Sequence, residues 1–185
     1  MRVQTGLLLV PFCLPLLLVL PSACQQGPYP VDSPYFNIPT GSRVQLKQTL
    51  TIPPELGRVN LQYGKIVQRF DQYQAHCAFV SWNIQEQNQY IKPDSFIVTA
   101  VKYLEEYVSI PSRQLYARAG GFPVSDAGAT AIEYSTVLSI HSASQPDIRE
   151  FICSHWEDPA DAHHLTISQI RRALGDIADI ELELK

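Results

Sequence analysis

The sequence has few charged residues and no long basic stretch. Only 17% of its 185 residues are charged, and 18 acidic residues outnumber 14 basic ones, which gives a formal net charge of -4. The longest basic run is the pair Arg171-Arg172. Because binding to a phosphate backbone depends on clustered Lys and Arg, nucleic acid is not an expected partner.

Motifs of common catalytic and cofactor sites are also missing from the sequence. It contains no GxGxxG or P-loop pattern for nucleotides, no GxSxG turn for a nucleophile, and no HExxH for a metal and its base. Each of these motifs fixes the geometry of a reacting or bound group. Without them no residue stands out as catalytic, and we predict a non-enzymatic protein with no cofactor.

An apolar run near the N-terminus is too short for a comfortable membrane span, which needs about 20 residues. It extends over 14 uncharged residues from Leu7 to Leu20, after a single basic residue, Arg2. Two small residues and then Cys24 follow, an arrangement that resembles the lipobox of bacterial lipoproteins, in which the Cys is acylated. Residues 1–24 are therefore predicted to be a signal peptide with a lipobox-like end, and Cys24 the lipidation site.

The lipobox-like end departs from the usual pattern, in which an aliphatic residue stands three positions before the Cys. Pro21 occupies that place, so secretion by the general signal peptidase and an uncleaved anchor stay open as alternatives. Gln25 rather than Asp follows the Cys, which by resemblance to lipoprotein sorting in enteric-type bacteria favours the outer membrane. The expected location is the bacterial cell envelope, at the outer membrane and facing the periplasm.

Residues 25–41 are rich in Pro and Gly and show no periodicity. Residues that precede Pro are biased toward extended backbone, so this segment is predicted to be a Pro-rich tether. It would link the lipid to a globular domain at residues 42–185.

Two cysteines remain once Cys13 is assigned to the leader and Cys24 to the lipid. Cys77 and Cys153 form an even pair, and in an oxidising compartment a disulfide is the default for such a pair. The bond would stabilise the fold by about 4 kcal/mol in the chain-entropy model. A redox or nucleophilic role of Cys77 beside His76 is the alternative, although adjacent residues of a strand point to opposite faces.

Alternation of apolar and polar residues dominates residues 42–185. The clearest signal is a hairpin at 130–156, whose turn at 143–147 reads Ala-Ser-Gln-Pro-Asp. Other alternating segments lie at 43–52, 59–63, 77–84, 90–103 and 114–119, whereas 102–110 fits either a strand or a helical turn. The pattern predicts a mainly β fold (β+α), either an antiparallel sandwich or a partly open barrel.

One C-terminal helix and a closing strand complete the prediction. Thr166 and Gln169 have the spacing of a capping box, and Gly175 stands where a helix commonly stops. After it, Ile180, Leu182 and Leu184 alternate with acidic residues, which predicts a final strand at the edge of a sheet.

A polar cluster between the hairpin and the helix is the only candidate metal site. It contains His155, Asp158, Asp161, His163 and His164, which are residue types that bind Zn or Cu. Their spacing on a loop fixes no geometry, so a solvated connection is the favoured interpretation. The alternative is a metal-binding or enzymatic periplasmic protein that uses the loop from His155 to His164.

A further comparison depends on scattered positions between residues 43 and 175: Gly64, His76-Cys77, Pro93-Asp94-Ser95-Phe96, Cys153, Trp156 and Leu165-Thr166. With these positions the sequence resembles a group of small uncharacterised proteobacterial envelope proteins. The resemblance implies location and architecture, and it carries over no catalytic residue.

The sequence as a whole predicts a non-enzymatic lipoprotein of the cell envelope, a structural or binding module that faces the periplasm. Its expected partners are the membrane, through the N-terminal lipid, and a further envelope protein. Besides the metal-binding alternative, a soluble secreted protein that binds a small ligand stays open.

Overall fold

A computed structural model describes residues 29–109 and 130–184. Ten strands and a single α-helix occur in these two ranges. The strands are β1 (Arg43–Leu46), β2 (Leu50–Ile52), β3 (Arg58–Gln62), β4 (Lys65–Val67), β5 (His76–Ser81), β6 (Gln89–Ile91), β7 (Asp94–Ser109), β8 (Thr130–His141), β9 (Ile148–Glu157) and β10 (Ala178–Glu181). The helix, α1, is Ile167–Leu174.

Eight of the strands form one antiparallel sheet in the order β10-β1-β7-β8-β9-β5-β3-β4, and β2 pairs with β6 in a small second sheet. The large sheet curls into a half-barrel, with α1 on its concave side. The predicted mainly β fold with a C-terminal helix and a final edge strand is therefore confirmed. Of the two predicted arrangements, the partly open barrel describes it.

The predicted hairpin lies at the centre of the sheet. Strands β8 and β9 pair from Ile132↔Glu157 to Ser139↔Glu150, and β5 pairs with the other side of β9. Cys77 and Cys153 face each other directly across β5 and β9, and their sulfur atoms are 2.11 Å apart. The two cysteines predicted as partners are thus at disulfide distance, in the interior of the domain.

The concave face of the sheet and one face of α1 form the hydrophobic core. Because side chains alternate along a strand, every second residue of β3, β5, β8 and β9 points to this face. Fully buried members include Leu61, Phe79, Phe96, Leu138 and Phe151. The helix contributes its own buried stripe, consisting of Ile167, Ile170, Ala173 and Leu174.

The predicted capping box of α1 is confirmed. The backbone N–H of Gln169 donates to the side-chain oxygen of Thr166, and the Gln169 side chain accepts a hydrogen bond from the Thr166 N–H at 2.8 Å. The helix ends at Gly175, which has a positive φ of 54°. Residues on both sides of the helix thus fix its length, as the sequence indicates.

Two segments differ from the prediction. The alternating run at 43–52 forms two strands, because the chain leaves the large sheet at Lys47, whose N–H donates to the Ile177 carbonyl at 2.8 Å. Leu50 and Ile52 stay buried in β2. An alternating pattern reports which side chains are buried and does not identify the neighbouring strand.

Residues 29–41 pack on the domain instead of forming the predicted tether. Ile38 is buried, and its N–H donates to the hydroxyl of Tyr103 at 2.9 Å. The carboxylate of Asp32 accepts a hydrogen bond from the N–H of Ser168 at 2.9 Å, in the first turn of α1. The folded domain therefore begins earlier than residue 42, because Val31, Phe36 and Ile38 supply apolar side chains to it.

The remaining predictions concern the chain ends and the loops. The undecided segment 102–110 is strand through Ser109, and the closing strand runs over Ala178–Glu181 at a sheet edge. Three predictions lie outside the described residues: the signal peptide at 1–24 with Cys24, the beginning of the tether at 25–28, and the strand at 114–119. No helix within the two described ranges is long and apolar enough to cross a membrane.

Candidate functional site

The histidines of the predicted polar cluster are mostly engaged by the fold. His155 lies on β9 and is buried, and its Nε2 is 2.9 Å from the carbonyl oxygen of His163. Since a carbonyl only accepts hydrogen bonds, Nε2 carries the proton. The other ring nitrogen, Nδ1, is 3.4 Å from the Glu157 carboxylate. Burial lowers the pKa of His155, so the ring is neutral at pH 7.

His163 and His164 point to different neighbours. Nδ1 of His163 donates to the carbonyl of Asp161 at 2.6 Å. The ring of His164 packs between Tyr103 and Tyr134, with its centroid 5.1 Å and 4.9 Å from theirs. Burial lowers the pKa of His164 as well.

The structure does not assemble the candidate metal ligands. Asp158 and Asp161 are exposed, while His155 and His164 pack into the domain. Among the described residues, no group of three or more His, Cys, Asp or Glu side chains is placed to hold a metal ion. The segment is not simply a solvated connection either, because His155 is one of its buried anchors.

A cleft on the convex face of the sheet, which we term the outer cleft, brings together residues that the sequence did not connect. Its floor is Ala78 of β5, which pairs with Asn60 of β3 on one side and Ile152 of β9 on the other. The small side chain of Ala78 leaves a depression between larger neighbours. The cleft encloses about 430 Å³ together with the solvent at its mouth, and it is lined by Arg58, Asn60, Phe70, Gln72, His76, Ala78, Glu133, Ile152, Ser154 and Trp156.

A buried hydrogen-bonded pair forms one end of the outer cleft. Nε2 of His76 is 3.1 Å from the hydroxyl oxygen of Ser154, its direct cross-strand partner. Nδ1 of His76 donates to the Gln74 carbonyl at 3.0 Å, so Nε2 accepts the Ser154 proton. Burial lowers the pKa of His76, which keeps the ring neutral at pH 7.

This hydroxyl–imidazole pair positions an aromatic wall of the outer cleft. The ring of Phe70 stacks on His76, with centroids 4.0 Å apart and planes inclined by 28°. Ser154 lies within strand β9 and is only 6% exposed, so its hydroxyl is not presented as a free nucleophile. We therefore assign His76 and Ser154 the role of holding Phe70 in place.

Trp156 forms the second aromatic wall. Its backbone N–H donates to the carbonyl of Gln72 at 2.6 Å, which ties β9 to the segment that carries Phe70. The ring of Tyr73 meets the indole edge-on at a centroid distance of 5.8 Å. Each aromatic wall thus packs against a neighbouring ring, His76 for Phe70 and Tyr73 for Trp156.

The rim of the outer cleft is polar. The side chains of Arg58, Asn60, Gln72 and Glu133 make no hydrogen bond or ion pair with other residues in the part of the chain that is described. Together they offer guanidinium and amide donors and amide and carboxylate acceptors. Groups that are not engaged by the protein can bind a ligand without first breaking an internal contact.

Sequence reasoning missed the outer cleft because its residues come from five separate segments. These are β3 with Arg58 and Asn60, the loop between β4 and β5 with Phe70 and Gln72, β5 with His76 and Ala78, β8 with Glu133, and β9 with Ile152, Ser154 and Trp156. The only available signal was the outward position of these residues in alternating strands, which predicts exposure and not convergence.

Comparison of the chain with protein-family models, with curated proteins and with solved structures found no match. Function must therefore be inferred from the geometry of the described residues and from the chemistry of the sequence.

Proposed function

We propose that the chain is an exported lipoprotein of the bacterial cell envelope and acts there as a non-enzymatic binding module. Residues 1–24 direct export and Cys24 carries the lipid. The domain that begins near residue 29 faces the periplasm from the outer membrane. Its partners are the membrane, through the lipid, and a ligand or envelope protein held by the domain surface.

The observation that supports export best is the buried pair Cys77–Cys153. The two residues are 0% and 1% exposed and lie on neighbouring strands at the centre of the sheet. Disulfides persist in secreted and periplasmic proteins and are rare in the cytosol. The apolar run before Cys24 points to the same compartment.

The binding role is supported by the outer cleft. Its aromatic walls pack against neighbouring rings, and its polar rim has donors and acceptors that no other described residue engages. A pre-formed cleft with a few converging polar groups is typical of ligand sites. An unlipidated, secreted small-ligand binder would share this cleft and differ only at Cys24.

Processing of the full chain in a Gram-negative host tests the proposal. We expect the intact mass of the membrane-extracted protein to correspond to a chain that begins at Cys24 and carries acyl groups. Cys24→Ala should abolish the added mass and release the protein from the membrane fraction. An unmodified mature chain in the medium would instead establish the secreted alternative.

The oxidation state of the two core cysteines provides the second arm. Cys77 and Cys153 should resist a thiol-reactive polymer in denatured, unreduced protein and react fully after reduction. Reaction of both cysteines without reductant in freshly exported protein would contradict the proposal, because the buried bond is its main support.

A further inference from the structure

We propose that the outer cleft binds a saccharide, that is, a neutral ring-shaped ligand with several hydroxyl groups. The inference rests on the proposed binding function and adds the chemical class of the ligand. It is based on three features of the cleft: two packed aromatic rings, an apolar floor, and a polar rim. The rim has hydrogen-bond donors and acceptors and includes one positive and one negative side chain.

The aromatic walls match the apolar faces of a sugar ring. A pyranose presents C–H groups on its faces and hydroxyl groups around its edge. The cleft is lined by Phe70 and Trp156 together with Ala78 and Ile152, so part of its surface is apolar. A ring that lies against these side chains replaces water at apolar surface, and the aromatic faces attract the polarised C–H groups.

The rim matches the edge of such a ring. A hydroxyl group donates one hydrogen bond and accepts two, so a polyhydroxy ligand needs donors and acceptors side by side. Asn60 and Gln72 each supply both, Arg58 supplies donors and Glu133 supplies acceptors. Their planar end groups can contact two neighbouring hydroxyls at once, which gives specificity.

The charges of the rim argue against other small ligands. A phosphate or a carboxylate would be attracted by Arg58 but repelled by Glu133, since both lie at the same cleft. A purely apolar ligand would remove water from four polar side chains without replacing the hydrogen bonds. A neutral ligand with many hydroxyls avoids both costs.

The cleft is organised before the ligand arrives. His76 holds Phe70 by stacking and is itself fixed by Ser154 and by the Gln74 carbonyl. Trp156 is tied to the loop by its N–H bond to Gln72. Fixed walls reduce the conformational entropy that is lost on binding.

Binding of three neutral trisaccharides to the full chain tests the inference: chitotriose, cellotriose and maltotriose. Saturation-transfer NMR should show transfer to ring C–H protons for at least one of them, and titration should give its Kd. Binding of chitotriose alone would indicate an N-acetylated glycan, the chemistry of the bacterial cell wall. Binding of cellotriose or maltotriose would indicate a glucan.

Two substitutions locate the site. Trp156→Ala should raise the Kd at least tenfold. Asn60→Ala should raise the Kd by the same factor and leave the melting temperature unchanged. Trp82→Ala is the matched control, because Trp82 is 64% exposed and does not line the outer cleft. It should leave the Kd unchanged.

The inference would be overturned if none of the three sugars bound at a concentration of roughly 10 mM. It would also be overturned if binding were unchanged in both the Trp156→Ala and the Asn60→Ala variants. Neither result would affect the proposed export and lipidation, which depend on the mass of the mature chain and on the oxidation of Cys77 and Cys153.

Discussion

Gly64 and Gly175 touch through their backbones. A Cβ placed on Gly175 would lie 2.6 Å from the Cα of Gly64, and both residues have positive φ, 68° and 54°. The Gly64 N–H also donates to the carbonyl of Ala173 at 2.9 Å. The turn between β3 and β4 is therefore in direct backbone contact with the C-terminal end of α1. A side chain at either glycine would prevent so close an approach.

Gly175→Ala should therefore destabilise the domain by about 3 kcal/mol, from the backbone strain and the steric clash together. Urea unfolding at equilibrium gives the free energy. Gly57→Ala is the matched control, because the atom nearest to its Cβ would be on the side chain of Ile84, at an ordinary contact distance of 3.4 Å, and its φ is not in the left-handed region. Equal loss in both variants would contradict the close backbone contact.

Removal of the buried disulfide should cost about 4 kcal/mol, since the bond closes a loop of 76 residues and restricts the unfolded chain. We expect the double variant Cys77→Ala/Cys153→Ala to unfold at lower urea than the oxidised protein. Reductant should lower the midpoint of the wild type and leave that of the double variant unchanged. A wild-type midpoint that ignores reductant would refute the bond.

Thr166→Ala should cost about 1 kcal/mol through loss of the N-cap. The Thr166 oxygen accepts the N–H of Gln169, one of the unpaired donors of the first turn. Thermal unfolding followed by circular dichroism measures the effect. Thr99→Ala serves as the control because Thr99 is exposed on β7 and its hydroxyl donates to the carbonyl of Ser139 on β8, so its replacement removes a hydrogen bond that is not a helix cap and should shift the melting temperature less.

The three packed histidines should make stability depend on pH below the ordinary histidine pKa of 6.5. Burial lowers the pKa of His76, His155 and His164 in the folded protein, so the unfolded chain takes up protons first as the pH falls. The contribution of these histidines to the free energy of unfolding is fully present above pH 6.5. It decreases as the pH falls toward their lowered pKa values in the folded protein. Melting temperatures between pH 7.5 and 5 should record this decline.

His76→Gln should flatten that decline, whereas His141→Gln, at an exposed position, should leave its slope unchanged. Stability that is constant from pH 7.5 to 5 would contradict the burial of the imidazoles.

A separate loss of stability is expected below pH 3.8 and arises from Asp94. Burial alone would raise the pKa of Asp94, but hydrogen bonds from Gln145, Ser142 and Ser144 outweigh it and hold this pKa well below its usual range.

Local signals in the sequence predict much of the fold. The hairpin at 130–156 and the capping box at Thr166 depend on residues close in the chain, and both occur as expected. The partnership of Cys77 and Cys153 follows from counting cysteines. Each of these predictions needs no knowledge of which strands become neighbours.

The outer cleft could not be predicted in this way. Ala78 forms its floor only because β3 and β9 flank β5, and that order results from packing across the whole sheet. The same limit explains the segment at 29–41. Its Pro-rich composition favours an extended chain, yet Ile38 gains enough from burial and from Tyr103 to order it.

The contacts of that N-terminal segment determine where a pulling force would enter the domain. Asp32 is fastened to the start of α1 and Ile38 to Tyr103 on β7, the longest strand of the sheet. A force that pulls on the chain from its N-terminal side would act first on these two hydrogen bonds. The strands that follow would bear the force only after both hydrogen bonds had broken.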